Sequence, residues 1–356
     1  MYPPFLLAGI IVLAAVIIDL LWTTLWVDGG SGPLSGRLTT GVWHGLRRAT
    51  GDHPRALSLA GPIILALTLA MWIGLIWLGW TLLFAGGTTA LVDSQTGDPA
   101  TWAGRLYYVA YTMFTSGNGD YTPTSSVWEL VSSFTTATGM AFVTLGVSYV
   151  LSVLGAVSEK RAFASDVTGL GERSEAFVRT SWTGDAAASD YDSEIDSRHP
   201  NGGRASEAQN PFSGLDLPLE SLASQLSLLA EQHKSYPILH YYHSDQAAQA
   251  SAVAVPILDD SLTLFRHGIP DEEQPNPTLI EDARTSVHRY LETLDTAFID
   301  PAAEEPPAPE LERLREEGVP TVSDEEFDAA LEELSERRRK LLGVVRADAW
   351  EWPPAK

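Results

Sequence analysis

The run Thr115-Ser116-Gly117-Asn118-Gly119-Asp120 is where backbone and side chains of this 356-residue sequence could do chemistry together. Two glycines at i and i+2 allow backbone angles closed to other residues. A strand of that kind, held inside protein or beside a water-filled path, lines the path with its own carbonyl oxygens. A tight external turn would use the same two glycines, so the elements on either side decide between the two.

Three apolar runs have the length a bilayer demands, about 20 residues at about 1.5 Å rise each. Phe5 to Val27 carries one charge, Asp19, and ends with Trp22 and Trp26 placed as interfacial anchors. No Lys or Arg precedes it and it exceeds a signal peptide's apolar core, so it is read as retained. Leu57 to Phe84 is a second span. Val127 to Val157 is a third, richer in Thr, Ser and Gly, which in a membrane face other helices or water. Between the second and third spans, Trp102 to Phe114 reads as a helix of about 13 residues, too short to cross, and Thr115 follows it directly. Non-helical backbone at membrane depth is tolerated only where protein or water surrounds it. A re-entrant helix followed by a Gly-x-Gly strand therefore predicts a pore lined by carbonyls. Arg37, Arg47, Arg48 and Arg55 follow the first span, Lys160 and Arg161 follow the third, and 85–104 holds no base. Both basic sites belong on the cytoplasmic side, which places the N-terminus outside and the C-terminal region inside. Asp19 is expected to bond a neighbouring helix or to sit shallow in the membrane, and no span carries the regular Arg series of a voltage sensor.

From Tyr107 to Val157 the chain resembles the pore domain of tetrameric potassium channels, whose signature is Thr-Val-Gly-Tyr-Gly-Asp with a Pro nearby. Thr115, Gly117, Gly119, Asp120 and Pro123 match it. Thr112 is also family-like, Tyr107 and Tyr108 fall where many members place an aromatic pair, and Gly139 falls where the inner helix has its gating glycine. The likeness covers about 100 residues, from the second span to Val157. Ser116 and Asn118 depart from it, standing where the family has Val and an aromatic. That ring packs against the pore helix and holds the carbonyls at a fixed diameter; Asn118 cannot, though its amide could hydrogen-bond instead. The resemblance implies a filter of stacked carbonyl rings from Thr115, Ser116, Gly117 and Asn118, closed by Gly119, with the Thr115 hydroxyl at the inner end and K+ as the permeant ion. It implies a homotetramer, since one chain supplies a quarter of each ring. Asp120, with Asp93 and Asp98, would concentrate cations at the external mouth, and Tyr107, Tyr108 and Thr112 would support the pore helix. On the inner helix Thr135, Gly139, Val143, Val147 and Val150 recur at helical spacing as the expected cavity and gate, with Gly146 an alternative bend.

The remaining sequence differs in kind. Up to position 157 there are seven acids and five bases, and beyond it 39 acids and 18 bases, so almost all of the net charge of -23 lies in the second half. That acidity argues against nucleic-acid binding, which needs clustered Lys and Arg. It suits either a high-salt cytoplasm or a GC-rich genome. With no cysteine, disulfides, zinc–thiolate sites and cysteine nucleophiles are excluded. Ser181 to Gln209 is rich in Asp, Ser, Gly and Ala and reads as a disordered linker. Helices are expected along Leu219, Leu222, Leu226 and Leu229, over Thr278 to Phe298, and from the Ser323/Glu326 capping pattern through Phe327, Leu331, Leu334, Leu341 and Val345. Gly169 and Gly171 lack the strand and third glycine of a dinucleotide site. His233, His240 and His243 are weak metal candidates, more simply read as partly buried polar contacts. No catalytic triad, carboxylate pair or phosphate loop stands out, so no enzyme and no cofactor are expected.

The fold class expected is an all-α membrane protein: three transmembrane helices with a re-entrant pore helix and filter loop, plus a helical acidic cytoplasmic region. The domains expected are 1–56, an N-terminal span with a basic loop; 57–157, the pore; 158–213, a partly disordered linker; and 214–356, a helical cytoplasmic domain with an unknown partner or ligand. The expectation is a multi-pass cell-membrane channel for potassium or monovalent cations. A membrane-anchored interaction protein with a non-conducting pore-like region is the alternative. A potassium-uptake subunit would carry four pore repeats, and one is present.

Overall fold

A computed structural model of the chain describes residues 2–26, 30–51, 57–184, 210–295 and 299–353. They form two compact units. Met1–Gly51, Leu59–Gly155 and Lys234–Tyr242 make the first; Asp52–Ser58, Ala156–His233 and His243–Lys356 make the second.

The first unit contains α1 (Pro3–Leu25), α2 (Pro33–Thr50), α3 (Ala60–Gly86), strand β1 (Leu91–Asp93), α4 (Trp102–Met113), strand β2 (Tyr121–Pro123) and most of α5 (Ser126–Leu170). Helices α1, α3 and α5, of 23, 27 and 45 residues, are long and apolar enough to cross a membrane. Small residues let α1 and α3 touch backbone to backbone: a methyl group on Gly9 would stand 2.7 Å from the Leu83 nitrogen, and one on Gly79 2.8 Å from Leu13 Cγ. Asp19 is fully buried in α1. Its carboxyl oxygens accept from the Leu34 N–H at 2.7 Å, the Ser35 hydroxyl at 2.5 Å and the Trp72 indole N–H at 2.8 Å. Asp19 thus caps the first turn of α2 from another helix and fastens both to α3, the bonding role expected of it. The segment read as a loop after the first span is helical for 18 residues, because its apolar residues, including buried Trp43, recur on one face.

A two-stranded antiparallel ribbon, which sequence patterning did not indicate, pairs Leu91 with Pro123, Val92 with Thr122 and Asp93 with Tyr121. It joins the chain before α4 to the chain after the glycine run and closes that excursion into a loop. Each strand is three residues long, too short for alternation to register.

The second unit corrects several boundaries. Helix α5 continues past Val157 to Leu170, because Phe163, Ala164 and Val167 extend its apolar face into this unit's core. Then α6 (Ser174–Ser181) buries Phe177 and Val178. Residues 158–184 and 210–213, assigned to a linker, are therefore packed structure; the rest of that linker, 185–209, lies outside the described residues, as do Arg55 and Phe298. Helices α7 (Asp216–Ser235), α8 (Ser251–Thr263), α9 (Pro277–Asp295), α10 (Leu311–Glu316), α11 (Asp324–Glu333) and α12 (Ser335–Ala347) complete it. The single helix expected from Ser323 to Val345 is two, broken at Leu334, whose ψ of 1° leaves the helical range. Helix α8 is buried on every side, so it has no polar face and no helical period to read. Its two acids are paired inside: Asp259 accepts from Arg337 Nε at 2.9 Å, and Asp260 from Arg338 Nε at 3.3 Å.

Candidate functional site

Helix α4 is set between α3 and α5 by contacts from each. Its N-terminus is capped by Thr101, whose hydroxyl accepts from the Gly104 N–H at 3.1 Å. Tyr108 packs edge-on against Phe84 of α3 at 5.3 Å, and its hydroxyl shares a 2.5 Å hydrogen bond with Ser132 of α5. Trp77 of α3 donates its indole N–H to the Leu106 carbonyl at 2.8 Å. At the C-terminal end Gly139 of α5 lies so close that a methyl group there would overlap the Met113 carbonyl oxygen. The Thr136 hydroxyl meets the Thr112 carbonyl at 3.3 Å. The negative end of the α4 dipole is thereby held at the level of Gly139, where it favours a cation.

The chain leaves α4 by changing hand. Backbone φ is +58° at Thr115, +61° at Gly117 and +76° at Gly119, every second residue of the run. For the two glycines that is an ordinary choice; for β-branched Thr115 it is strained, by about 1–3 kcal/mol, and persists because the surroundings impose it. Alternating the hand turns successive carbonyls to one side, by the geometry that gathers N–H groups in an anion-binding nest. Residues Thr115 to Asp120 are exposed in the single chain. Among the described residues, and apart from its own chain neighbours, nothing stands within 4 Å of a methyl group built on Gly117 or Gly119.

The outer half of this run is braced. The Asn118 amide donates to the Tyr107 hydroxyl, which in turn donates to Asp120 Oδ2 at 3.1 Å. Of the two roles open to Asn118, hydrogen bonding to the pore helix is the one adopted. The Tyr111 hydroxyl donates to the Tyr121 carbonyl at 3.1 Å and accepts from the Tyr121 N–H at 3.3 Å, pinning the exit strand to α4. The Ser94 hydroxyl donates to the Gly119 carbonyl at 2.6 Å, and the Ser94 N–H to the Asp120 carbonyl at 2.9 Å. That engages the Gly119 carbonyl, leaving those of Thr115, Ser116, Gly117 and Asn118 as the set expected to face an ion. Asp93 makes a turn: its Oδ1 accepts from the Gln95 and Thr96 N–H groups at 2.8 and 3.0 Å, which holds its carboxyl below the usual carboxylate range.

The structure thus gathers Tyr107 with Asn118 and Asp120, whereas Tyr108 turns to α3 and α5 and supports α4 from behind. Tyr111 and Ser94 were not anticipated. Tyr111 lies one helical turn from both Tyr107 and Tyr108, at ring distances of 5.1 and 5.3 Å, a spacing visible in the sequence. Ser94 carries no such signal, because the ribbon alone brings it to Gly119.

The inner-helix set divides. Thr135, Gly139 and Gly146 turn into the chain, while Val143 and Val147 are exposed and Val150 is half-buried. Steps of four residues drift about 40° each on a helix of 3.6 residues per turn, so the expected stripe does not stay on one face. Gly146 would meet only Leu69 Cδ2 at 3.6 Å and Phe142 at 3.9 Å with a methyl group added.

Among the described residues no group of three or more His, Asp and Glu is placed to hold a metal. His233 Nδ1 lies 2.8 Å from the Leu229 carbonyl, His240 meets the Tyr241 ring at 5.4 Å, and His243 pairs with Asp348.

A family model described as an ion channel matches residues 68–156, which span α3 from Thr68, α4, the glycine run and α5 to Ala156. An uncharacterized membrane protein of Bacillus subtilis (strain 168), YdjJ, is 40% identical over 349 residues, 98% of this chain and 95% of the relative. No solved structure matches.

Proposed function

The chain belongs to the ion-channel family, sharing its two-span, potassium-channel-like domain, and from that premise we propose that it conducts potassium through a filter assembled from four copies. The observation that carries this is the alternating backbone hand at Thr115, Gly117 and Gly119. Carbonyls turned to one side can replace a hydration shell only as closed rings, and one chain exposes one strand, so three further copies complete them. K+ would be held by the carbonyls of Thr115, Ser116, Gly117 and Asn118, with the Thr115 hydroxyl at the inner end. The end of α4 would favour the ion below the filter and Asp120 would gather cations above it. The exposed face with Val143 and Val147 is the proposed constriction, Gly146 the bend, and Gly139 the residue that lets α5 pass the end of α4. The N-terminus is placed outside and the C-terminal region in the cytoplasm, with Arg37, Arg47 and Arg48 on the inner side. In this reading the protein moves an ion down its gradient and catalyses no reaction.

The test is a bilayer recording of purified protein under opposed potassium and sodium gradients, with native mass measurement in detergent. A fourfold assembly with a potassium-directed reversal potential is expected. Gly119→Ala, which forces an L side chain to φ near +76°, keeps the fourfold mass and loses the current. A stable monomer or dimer, or unchanged current in Gly119→Ala, overturns the reading.

A further inference from the structure

One stretch of the chain beyond α5 packs with the first unit. The chain from Ala156 to His233 and again from His243 belongs to the second unit, while Lys234–Tyr242 between them belongs with the membrane helices. Its 3-10 turn, Pro237–Tyr241, buries Ile238, Leu239 and Tyr241. Three of its aromatic rings each meet a different helix. Tyr236 lies 6.1 Å from the Tyr149 ring on α5, and Tyr241 lies 5.6 Å, edge-on, from the Trp43 ring on α2. Tyr242 covers Gly61 at the start of α3, where a methyl group would stand 2.5 Å from its Cγ. Tyr149 also meets the Trp72 ring of α3 at 5.9 Å.

We propose that Tyr236–Tyr242 is a gating strap: an aromatic segment, continuous on both sides with the cytoplasmic chain, that sets the position of the inner helix through Tyr149. The surface it fits is formed by Trp43, Gly61 and Tyr149, and its occupant is this chain's own segment. The glycine at 61 is the specific element, since only a residue without a Cβ leaves room for the ring. Tyr149 lies within one turn of Val147 and Gly146, the proposed constriction and bend, but on the buried side of α5. A pull on the strap from either flank acts on the far side of the helix from the constriction, which is where a lever can rotate it without obstructing the path. Such coupling requires that docked and undocked straps favour different inner-helix positions. The proposal rests on the channel reading only for its current measurement; docking and helix position are read without conduction.

The chain contains no cysteine, so a single Val147→Cys reports the inner helix by its rate of thiol labelling. Undocking is forced in two ways, Gly61→Val, which occupies the space of the Tyr242 ring, and Tyr242→Ala, which removes the ring without crowding. In both, amide exchange over 238–242 should rise by about tenfold or more, as expected when the packing of a buried ring is lost. Labelling at position 147 and open probability should each change by about fivefold or more, with reversal potential unchanged. Exchange that stays at its native rate in both variants would show that the strap is not held by these contacts. Raised exchange with unaltered labelling would show a passive anchor. Either result overturns the proposal, while a native protein silent under all gradients overturns the channel reading and leaves the first two measurements to judge the strap.

Discussion

The Tyr107 hydroxyl stands between Asn118 and Asp120, accepting from the amide of the first and donating to the carboxyl oxygen of the second at 3.1 Å. In the proposed filter, a ring of α4 would thereby supply from behind what an aromatic in the filter would supply from within. The hydroxyl carries that function, so Tyr107→Phe should keep the fourfold assembly and reduce discrimination of potassium over sodium. The substitution removes two hydrogen bonds, each worth about 1 kcal/mol, so the permeability ratio should fall by a factor of about five to 30. Reversal potentials under mixed ions measure it. Asn118→Tyr should also damage selectivity, because Tyr107 already occupies the place beside that position.

The two inner-helix glycines should respond differently to one methyl group. Gly139→Ala overlaps the Met113 carbonyl and must displace α4, at a cost of about 1–3 kcal/mol. Gly146→Ala meets Leu69 at 3.6 Å, ordinary contact, and should leave stability within about 0.5 kcal/mol. Thermal unfolding in one detergent compares them; equal losses would contradict the packing role given to Gly139.

Asp19→Asn replaces one of two fully buried acceptor oxygens by a donor, which then faces either the Leu34 and Ser35 N–H groups at Oδ1 or the Ser35 hydroxyl and the Trp72 indole at Oδ2. It should destabilise the first unit by about 1–3 kcal/mol. Tryptophan fluorescence during denaturation reports it, since Trp72 loses its partner.

Asp260 of α8 is pushed up to about 7 from an ordinary 3.8, chiefly by burial, with Arg338 opposing and Asp259 and Glu175 adding to the rise. The folded chain therefore holds a proton that the unfolded chain has released between about pH 4 and 7. Stability should fall as pH rises through that window and level off above it, the reverse of an ordinary paired acid. Melting temperatures of the full chain at pH 5 and pH 8 should differ more than those of Asp260→Asn; identical pH dependence in the two would remove Asp260 as the cause.

What the sequence determined by itself are features governed by local rules. Three spans and a short re-entrant helix follow from the length of an apolar run against a fixed bilayer thickness, and the positive φ at positions 117 and 119 from two glycines that adopt it without strain. Helices α7 and α9 of the acidic half were legible because one face meets water and the other the core, which prints a period into the residues. Tertiary structure decided the rest. Helix α8 carries no such period because a helix buried all round has no second face. Ser94 reaches Gly119 only through a ribbon of two three-residue strands, and Tyr242 reaches Gly61 only because the chain returns to the first unit 181 positions later. The Tyr107–Asn118 bond lies between these cases: both residue types were evident, but whether the amide would hydrogen-bond depended on how α4 is turned by Phe84 and Ser132. Contacts between distant residues leave no period in a sequence, since each depends on the position of a whole element and not on the neighbours of either residue.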